Sequence, residues 1–234
     1  MTDENLWELK NQVLHANLEL QERNLVVYTF GNVSGIDRSS GLVVIKPSGV
    51  PYDELTIDKL VTVDLNGEKV DGDLRPSSDT LTHLELYRNF PDIGGVCHTH
   101  SPFATSWAQA SASIPCLGTT HADYAPNEIP CTSLLTEKQV NGNYVLETGK
   151  KIVKTFDDYS YEHTSMVLVA SHGPFTWGAT PGKAVYHSVI LEEIAKMAYY
   201  ALTINPEIRK INTYLIKKHF NRKHGKDAKY GQKQ

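Results

Sequence analysis

Cysteine is scarce and unpaired here: Cys97, Cys116 and Cys131 are the only three in 234 residues, and none forms a CxxC motif. An odd, scattered set suits a reducing compartment better than a disulfide framework. Long apolar runs are missing as well, the longest falling far short of the ~20 residues that cross a bilayer. Neither GxxxxGK[ST] nor GxGxxG occurs, which leaves a nucleotide-phosphate loop unsupported. No Pro/Gly/Ser-rich linker, low-complexity tract or internal repeat divides the chain, so residues 1–234 are expected to form a single domain. The N-terminus, MTDENLWELK, is acidic and lacks the basic-then-apolar layout of a secretory signal. A soluble, cytoplasmic chain with no membrane partner is the expectation.

Charge is unevenly placed. The net value is −4, yet from Lys217 onward seven Lys/Arg stand against one acid. A basic tail over 217–234 suits an anionic partner or a solvated terminus. Without interleaved aromatics or a nucleic-acid motif, it does not point to nucleic acid.

Periodicity gives an α/β pattern. Leu6, Leu9, Val13, Ala16 and Leu20 recur at spacings of three and four and predict an amphipathic helix. LVVYTF (25–30) reads as a strand entering a turn at GNVSG, and GLVVIKPSG as a strand ending in a Pro-Ser-Gly loop. LVTVDLNGEKV reads as a hairpin about Asn66-Gly67. A helix is predicted to begin near Asp79, capped by Ser77 or Ser78. IGGVCHTH reads as a strand, SPFATSWAQA as a helix and MVLVASHGPFTWG as two strands about a turn. A long helix follows, with Thr180 as N-cap and Pro181 at its first position. Hairpins mixed with helical connections predict a three-layer αβα domain around a mixed, largely antiparallel sheet.

Histidines stand out against this pattern. In a strand, residues i and i+2 face one side about 6.6 Å apart, so His98 and His100 point together while Cys97 points away. Two such imidazoles, joined by His172 at the end of another strand, have the donor type and convergence of a metal site. HxH alone fits better two histidines hydrogen-bonded within a polar strand end, and the third histidine brings the two readings level. Three segments rich in small donors suit an anion: Gly31-Asn32, Ser48-Gly49 after Lys46, and Ser77-Ser78 at a helix start. Each alone also reads as an ordinary turn.

KPSGV, PSSDT, GGVCHTHS, TTHADY, IPCT, SHGPF and the terminal KYGQ resemble, in sequence and order, the class II aldolase/adducin family. Within it they are most similar to the L-ribulose-5-phosphate 4-epimerase branch. The resemblance runs from about residue 8 to residue 232. It implies one divalent metal per subunit, zinc with manganese or cobalt as substitutes, bound by His98, His100 and His172 with Asp79 beside them. It implies substrate-phosphate contacts at Gly31, Asn32, Ser48, Gly49, Ser77 and Ser78, with Lys46 adding a charge and Thr119 near the aldehyde fragment. Asp123 and Tyr230 become the proton-transfer pair, and His219 and Arg222 are further candidates. Tyr230 is expected to reach a neighbouring subunit of a homotetramer.

The implied reaction inverts C4 of L-ribulose 5-phosphate to give D-xylulose 5-phosphate. C4 carries no acidic proton, so retro-aldol cleavage of C3–C4, rotation of the bound aldehyde and re-addition replace simple deprotonation. Two protonating groups on opposite sides are then needed. Asp79 bears on the branch, because fuculose-phosphate aldolases of the family typically carry Glu after the paired serines as their acid/base. A sugar-phosphate aldolase on the same scaffold is therefore the nearest alternative, and a noncatalytic adducin-like domain a more distant one.

Overall fold

Short strands whose apolar side chains alternate between two faces build the centre of the molecule. The computed structural model describes residues 3–225 together with residue 228. Helix α1 (Asp3–Glu22) leads into strands β1 (Asn32–Asp37) and β2 (Leu42–Ile45), and then a hairpin of β3 (Val61–Val63) and β4 (Lys69–Asp71). Next come α2 (Thr80–Asn89), β5 (Gly95–His98), α3 (Pro102–Gln109), α4 (Thr119–Ala122), α5 (Glu137–Asn141) and α6 (Tyr144–Thr155). Strands β6 (Met166–Val169) and β7 (Gly173–Gly178) precede the long α7 (Pro181–Ile204) and the basic α8 (Thr213–His224). The seven strands form one sheet in the order β4-β3-β2-β1-β5-β7-β6. Among the described residues every ladder is antiparallel, and a single parallel bridge joins Cys131 to Leu168.

Period-two alternation assigns the two faces. Ile36, Val43, Val61, Val63, Val96, Val167, Val169, Phe175 and Trp177 pack against Leu84, Leu86, Tyr87 and Phe90 of α2 and Ile152 of α6. On the opposite face, Val33 and Cys97 meet Ala16 and Leu20 of α1 and Ala184 and Val185 of α7. Met166 and Leu168 meet α3 and the middle of α7 there. Burial of each Leu, Ile or Val contributes roughly 1.5–3 kcal/mol. The result is the predicted α/β domain, a helix-covered antiparallel sheet. The long helix is capped as expected, with the Thr180 hydroxyl accepting from the Lys183 amide at 3.1 Å and Pro181 at the first position.

Four local expectations need correction. LVVYTF is not a strand; residues 25–27 are irregular and 28–29 form a turn, with Tyr28 at φ 53° and Val27, Tyr28 and Phe30 exposed. The strand is the less apolar NVSGID, because it lies between β2 and β5 and its backbone is paired along both edges. Neither Ser77 nor Ser78 holds the N-cap position of α2: Asp79 does, without a side-chain capping bond, while Ser77 Oγ accepts from the Asp79 amide at 3.3 Å. Asp123, which the Gly-Thr-Thr-rich stretch before it suggests as a loop residue, stands at the C-terminal end of α4. Residues 217–224 of the basic tail, which looks disordered on composition, belong to helix α8, anchored by buried Ile216 and Phe220 four residues apart.

Candidate active site

The polar residues of β1 and α2 meet along a shared seam. Two residues along a strand (~6.6 Å) nearly match four along a helix (~6 Å), so Asn32 and Ser34 face Asp79 and His83 in turn. The Asn32 side-chain amide donates to Asp79 Oδ2 at 2.8 Å and to Ser77 Oγ at 3.0 Å. Ser34 Oγ lies 2.8 Å from both His83 Nδ1 and the Tyr87 hydroxyl. His83 is fully buried, and burial pushes its imidazole down to about 3, so it stands neutral in this seam.

At the open end of the seam the three histidines converge. His98 ends β5, His100 follows it past the strand, and His172 lies in the turn between β6 and β7. Register sets His98 opposite Phe175, and the two rings stack at 4.2 Å between centroids. Each histidine offers a nitrogen within 4.8 Å of the others'. His98 Nδ1 donates to the Pro174 carbonyl at 2.9 Å, which leaves Nε2 bare and 3.1 Å from His100 Nε2. The Tyr144 hydroxyl lies 3.2 Å from His172 Nδ1. Burial first, then His98, pushes His172 down to about 4, so it too stands neutral.

Burial acts to raise the Asp79 carboxyl, but His98 and His83, the Asn32 hydrogen bond and His172 together outweigh it and hold it below the usual carboxylate range. Three imidazoles beside a fixed carboxylate are a donor set that fits a divalent ion such as zinc, cobalt or manganese. A cation would also relieve the close approach of two imidazole nitrogens.

Beside the histidines opens a cavity of about 330 Å³ whose lining includes Gly31, Asn32, Lys46, Ser48, Gly49, Ser77, Ser78 and Asp79. Backbone bonds zip its two serine loops together: the Ser48 amide donates to Arg75 O at 3.0 Å and the Ser77 amide to Lys46 O at 3.1 Å. Lys46 is buried, and its ammonium donates to Val50 O at 2.7 Å and lies 4.8 Å from the Tyr52 ring. Burial pushes it down to about 8. Gly31 is required where it stands: its φ is +76°, and a Cβ would meet the His98 carbonyl at 2.8 Å.

Other expected residues lie elsewhere. Thr119 opens α4, Asp123 closes it, and neither lines the cavity. Arg222 donates to both Asp123 oxygens at 3.1 and 3.0 Å, and His219 Nδ1 lies 3.0 Å from Oδ1. The proposed proton-transfer group on Asp123 thus clusters with His219 and Arg222 of α8, apart from the histidines. Tyr230 lies outside the described residues.

Two contributors left no motif in the sequence. Tyr144 reaches His172 from the start of α6. Glu192 of α7 accepts from the Phe103 and Ala104 amides at 2.8 and 2.9 Å, capping α3 directly after the His100 loop. Among the described residues, no helix is long and apolar enough to cross a membrane.

A model of the class II aldolase and adducin N-terminal domain matches residues 11–199. Among solved structures, an L-fuculose 1-phosphate aldolase superposes with a TM-score of 0.78 at 24% identity, covering 92% of this chain and 95% of that one. The Escherichia coli protein YgbL, for which aldolase, epimerase and decarboxylase activity are all candidates, gives 0.72 at 24% identity over 92% and 99%. The L-fuculose-1-phosphate aldolase of Thermus thermophilus gives 0.66 at 24% over 85% and 97%. At these identities the likeness is one of fold, and the match over residues 11–199 places the chain in the class II aldolase and adducin N-terminal domain family.

Proposed function

We propose that the chain is a divalent-metal-dependent sugar-phosphate enzyme that interconverts L-ribulose 5-phosphate and D-xylulose 5-phosphate. The observation that carries the choice of epimerase over aldolase is the tethering of Asp79. Bound to Asn32 and faced by His98, His83 and His172, its carboxylate stays ionised, which suits charge balance at a cation and makes it a poor proton carrier. Proton transfer then falls to groups elsewhere.

Lys46, Ser48, Gly49, Ser77 and Ser78 hold the phosphate at the N-terminal end of α2, where the helix dipole favours an anion. His98, His100 and His172, with Asp79 beside them, hold zinc or a similar divalent ion. When bound, the ion would supply Lewis acidity toward the negative charge that builds on the C2 oxygen as C3–C4 breaks.

Asp123 takes the C4 hydroxyl proton, its carboxyl group positioned by Arg222 and His219. Tyr230 serves the opposite face after the aldehyde turns. Because Asp123 does not line the cavity of its own chain, a neighbouring subunit of a homotetramer brings it and Tyr230 to the site.

An aldolase releasing both fragments is the second reading, favoured by the fuculose-phosphate aldolases of like fold. NMR of the metal-loaded protein with L-ribulose 5-phosphate separates the two. Xylulose 5-phosphate without free fragments supports the epimerase, whereas accumulating dihydroxyacetone and glycolaldehyde phosphate supports the aldolase.

A further inference from the structure

His98 and His172 share a pattern. In each, Nδ1 has a partner outside the cluster: the Pro174 carbonyl for His98 at 2.9 Å and the Tyr144 hydroxyl for His172 at 3.2 Å. A carbonyl only accepts, so it fixes the His98 proton on Nδ1. A hydroxyl can donate or accept, and its choice decides which nitrogen of His172 is bare. We propose that Tyr144 is a positioning residue: its oxygen accepts the Nδ1 proton of His172 and leaves Nε2 bare to complete the set with His98 and His100. The inference rests on reading the three histidines as a divalent-metal site.

Position supports this role. Tyr144 is the first residue of α6, and several ties hold that helix start. Asn143 Oδ1 accepts from the Leu146 amide at 3.2 Å, and Thr148 Oγ1 donates to the Tyr144 carbonyl at 2.9 Å. Thr82 of α2 donates to the Val145 carbonyl at 2.7 Å. Helices α2 and α6 approach so closely at Gly149 that a Cβ there would meet Glu85 Cβ at 2.6 Å. The N-terminal end of α2 carries Asp79 and that of α6 carries Tyr144, so one helix pair sets both the carboxylate and the phenol around the histidines.

The two Nδ1 partners also differ in kind. A backbone carbonyl cannot be exchanged by mutation, whereas a half-exposed phenol can be removed with little cost to the core. The rings of Tyr144 and His172 are 6.1 Å apart and tilted by 40°, so the contact is made through the hydroxyl and not by stacking. Removing that one oxygen frees His172 to carry its proton on either nitrogen, and the tautomer protonated on Nε2 cannot bind an ion through that atom.

The test uses the full chain and reads two quantities, neither of them turnover. Long-range ¹H–¹⁵N spectra of the metal-free protein report the His172 tautomer, and cobalt(II) titration followed by its visible absorption reports affinity. The expected result is a proton on Nδ1 in the native chain. Tyr144→Phe should give mixed tautomers and a cobalt(II) dissociation constant roughly ten- to a hundredfold higher. Tyr161→Phe, which removes a hydroxyl bonded to Asp92 away from the site, should leave both unchanged. Three results would overturn the proposal: a native His172 protonated on Nε2, a Tyr144→Phe chain with native cobalt(II) affinity, or no cobalt(II) binding by the native chain. A chain that behaves as expected here yet does not convert L-ribulose 5-phosphate would overturn the epimerase reading alone.

Discussion

Asn32 and Asp79 are joined by a 2.8 Å hydrogen bond between the first residue of β1 and the residue that opens α2. The amide spends its second hydrogen on Ser77, so it braces the carboxylate against the serine loop. Only the NH2 group can face a carboxylate without repulsion, which fixes the orientation of the amide.

Asp79→Asn is therefore expected to weaken metal binding by about tenfold or more, since the charge facing the histidines is lost. Fold stability should change little, because Asp79 makes no side-chain capping bond to α2. Metal titration beside thermal melting checks both halves.

Lys46 carries a pH signature. Burial lowers its pKa to about 8, so the folded chain releases this proton more readily than the unfolded one. Its contribution to stability is unfavourable below about pH 8 and lessens as pH rises from there toward the ordinary lysine value. Phosphate binding runs the other way, because only the ammonium attracts the anion. KM for the sugar phosphate should rise above about pH 8. Lys46→Met should raise KM roughly ten- to a hundredfold at pH 7, the loss expected for a charged hydrogen bond, while raising the melting temperature.

Glu192→Ala removes both acceptors from the start of α3 and should cost about 1–2 kcal/mol, as loss of a helix cap does. Because α3 follows directly on the His100 loop, metal affinity should fall with it. Chemical denaturation and cobalt(II) titration of the variant test the linkage, and Glu192→Gln, which keeps one acceptor, should lie between.

If a site is shared between subunits, His98→Asn and Asp123→Asn chains are each inactive alone, and co-assembly restores turnover. Random mixing in equal amounts should restore about a quarter of the native sites, as independent pairing across an interface requires. Recovery is read from turnover after joint refolding.

The histidines were legible because His98 ends β5 and His100 follows two residues on, just past the strand, while the turn after β6 brings His172 to them. The small-donor loops were legible as types, and only the bonds from Ser48 to Arg75 and Ser77 to Lys46 show how two of them become one cavity wall. Tyr144 and Glu192 were not legible, since their partners lie 28 and 88 or 89 residues away and neither belongs to a motif. LVVYTF misled because strand propensity describes a residue's fit to a sheet, and that stretch has no neighbouring strand to pair with. The helix in the first part of the basic tail was not legible because its composition is dominated by charge, whereas Phe220, buried with Ile216 just before the tail, anchors α8.

The most direct measurement is metal content and turnover of L-ribulose 5-phosphate in the same preparation, before chelation, after it, and after the ion is restored. The expected result is one divalent ion per chain, with xylulose 5-phosphate forming only when the ion is present. Turnover that persists in metal-free protein, or a metal-loaded chain that leaves the substrate unchanged, would contradict the account.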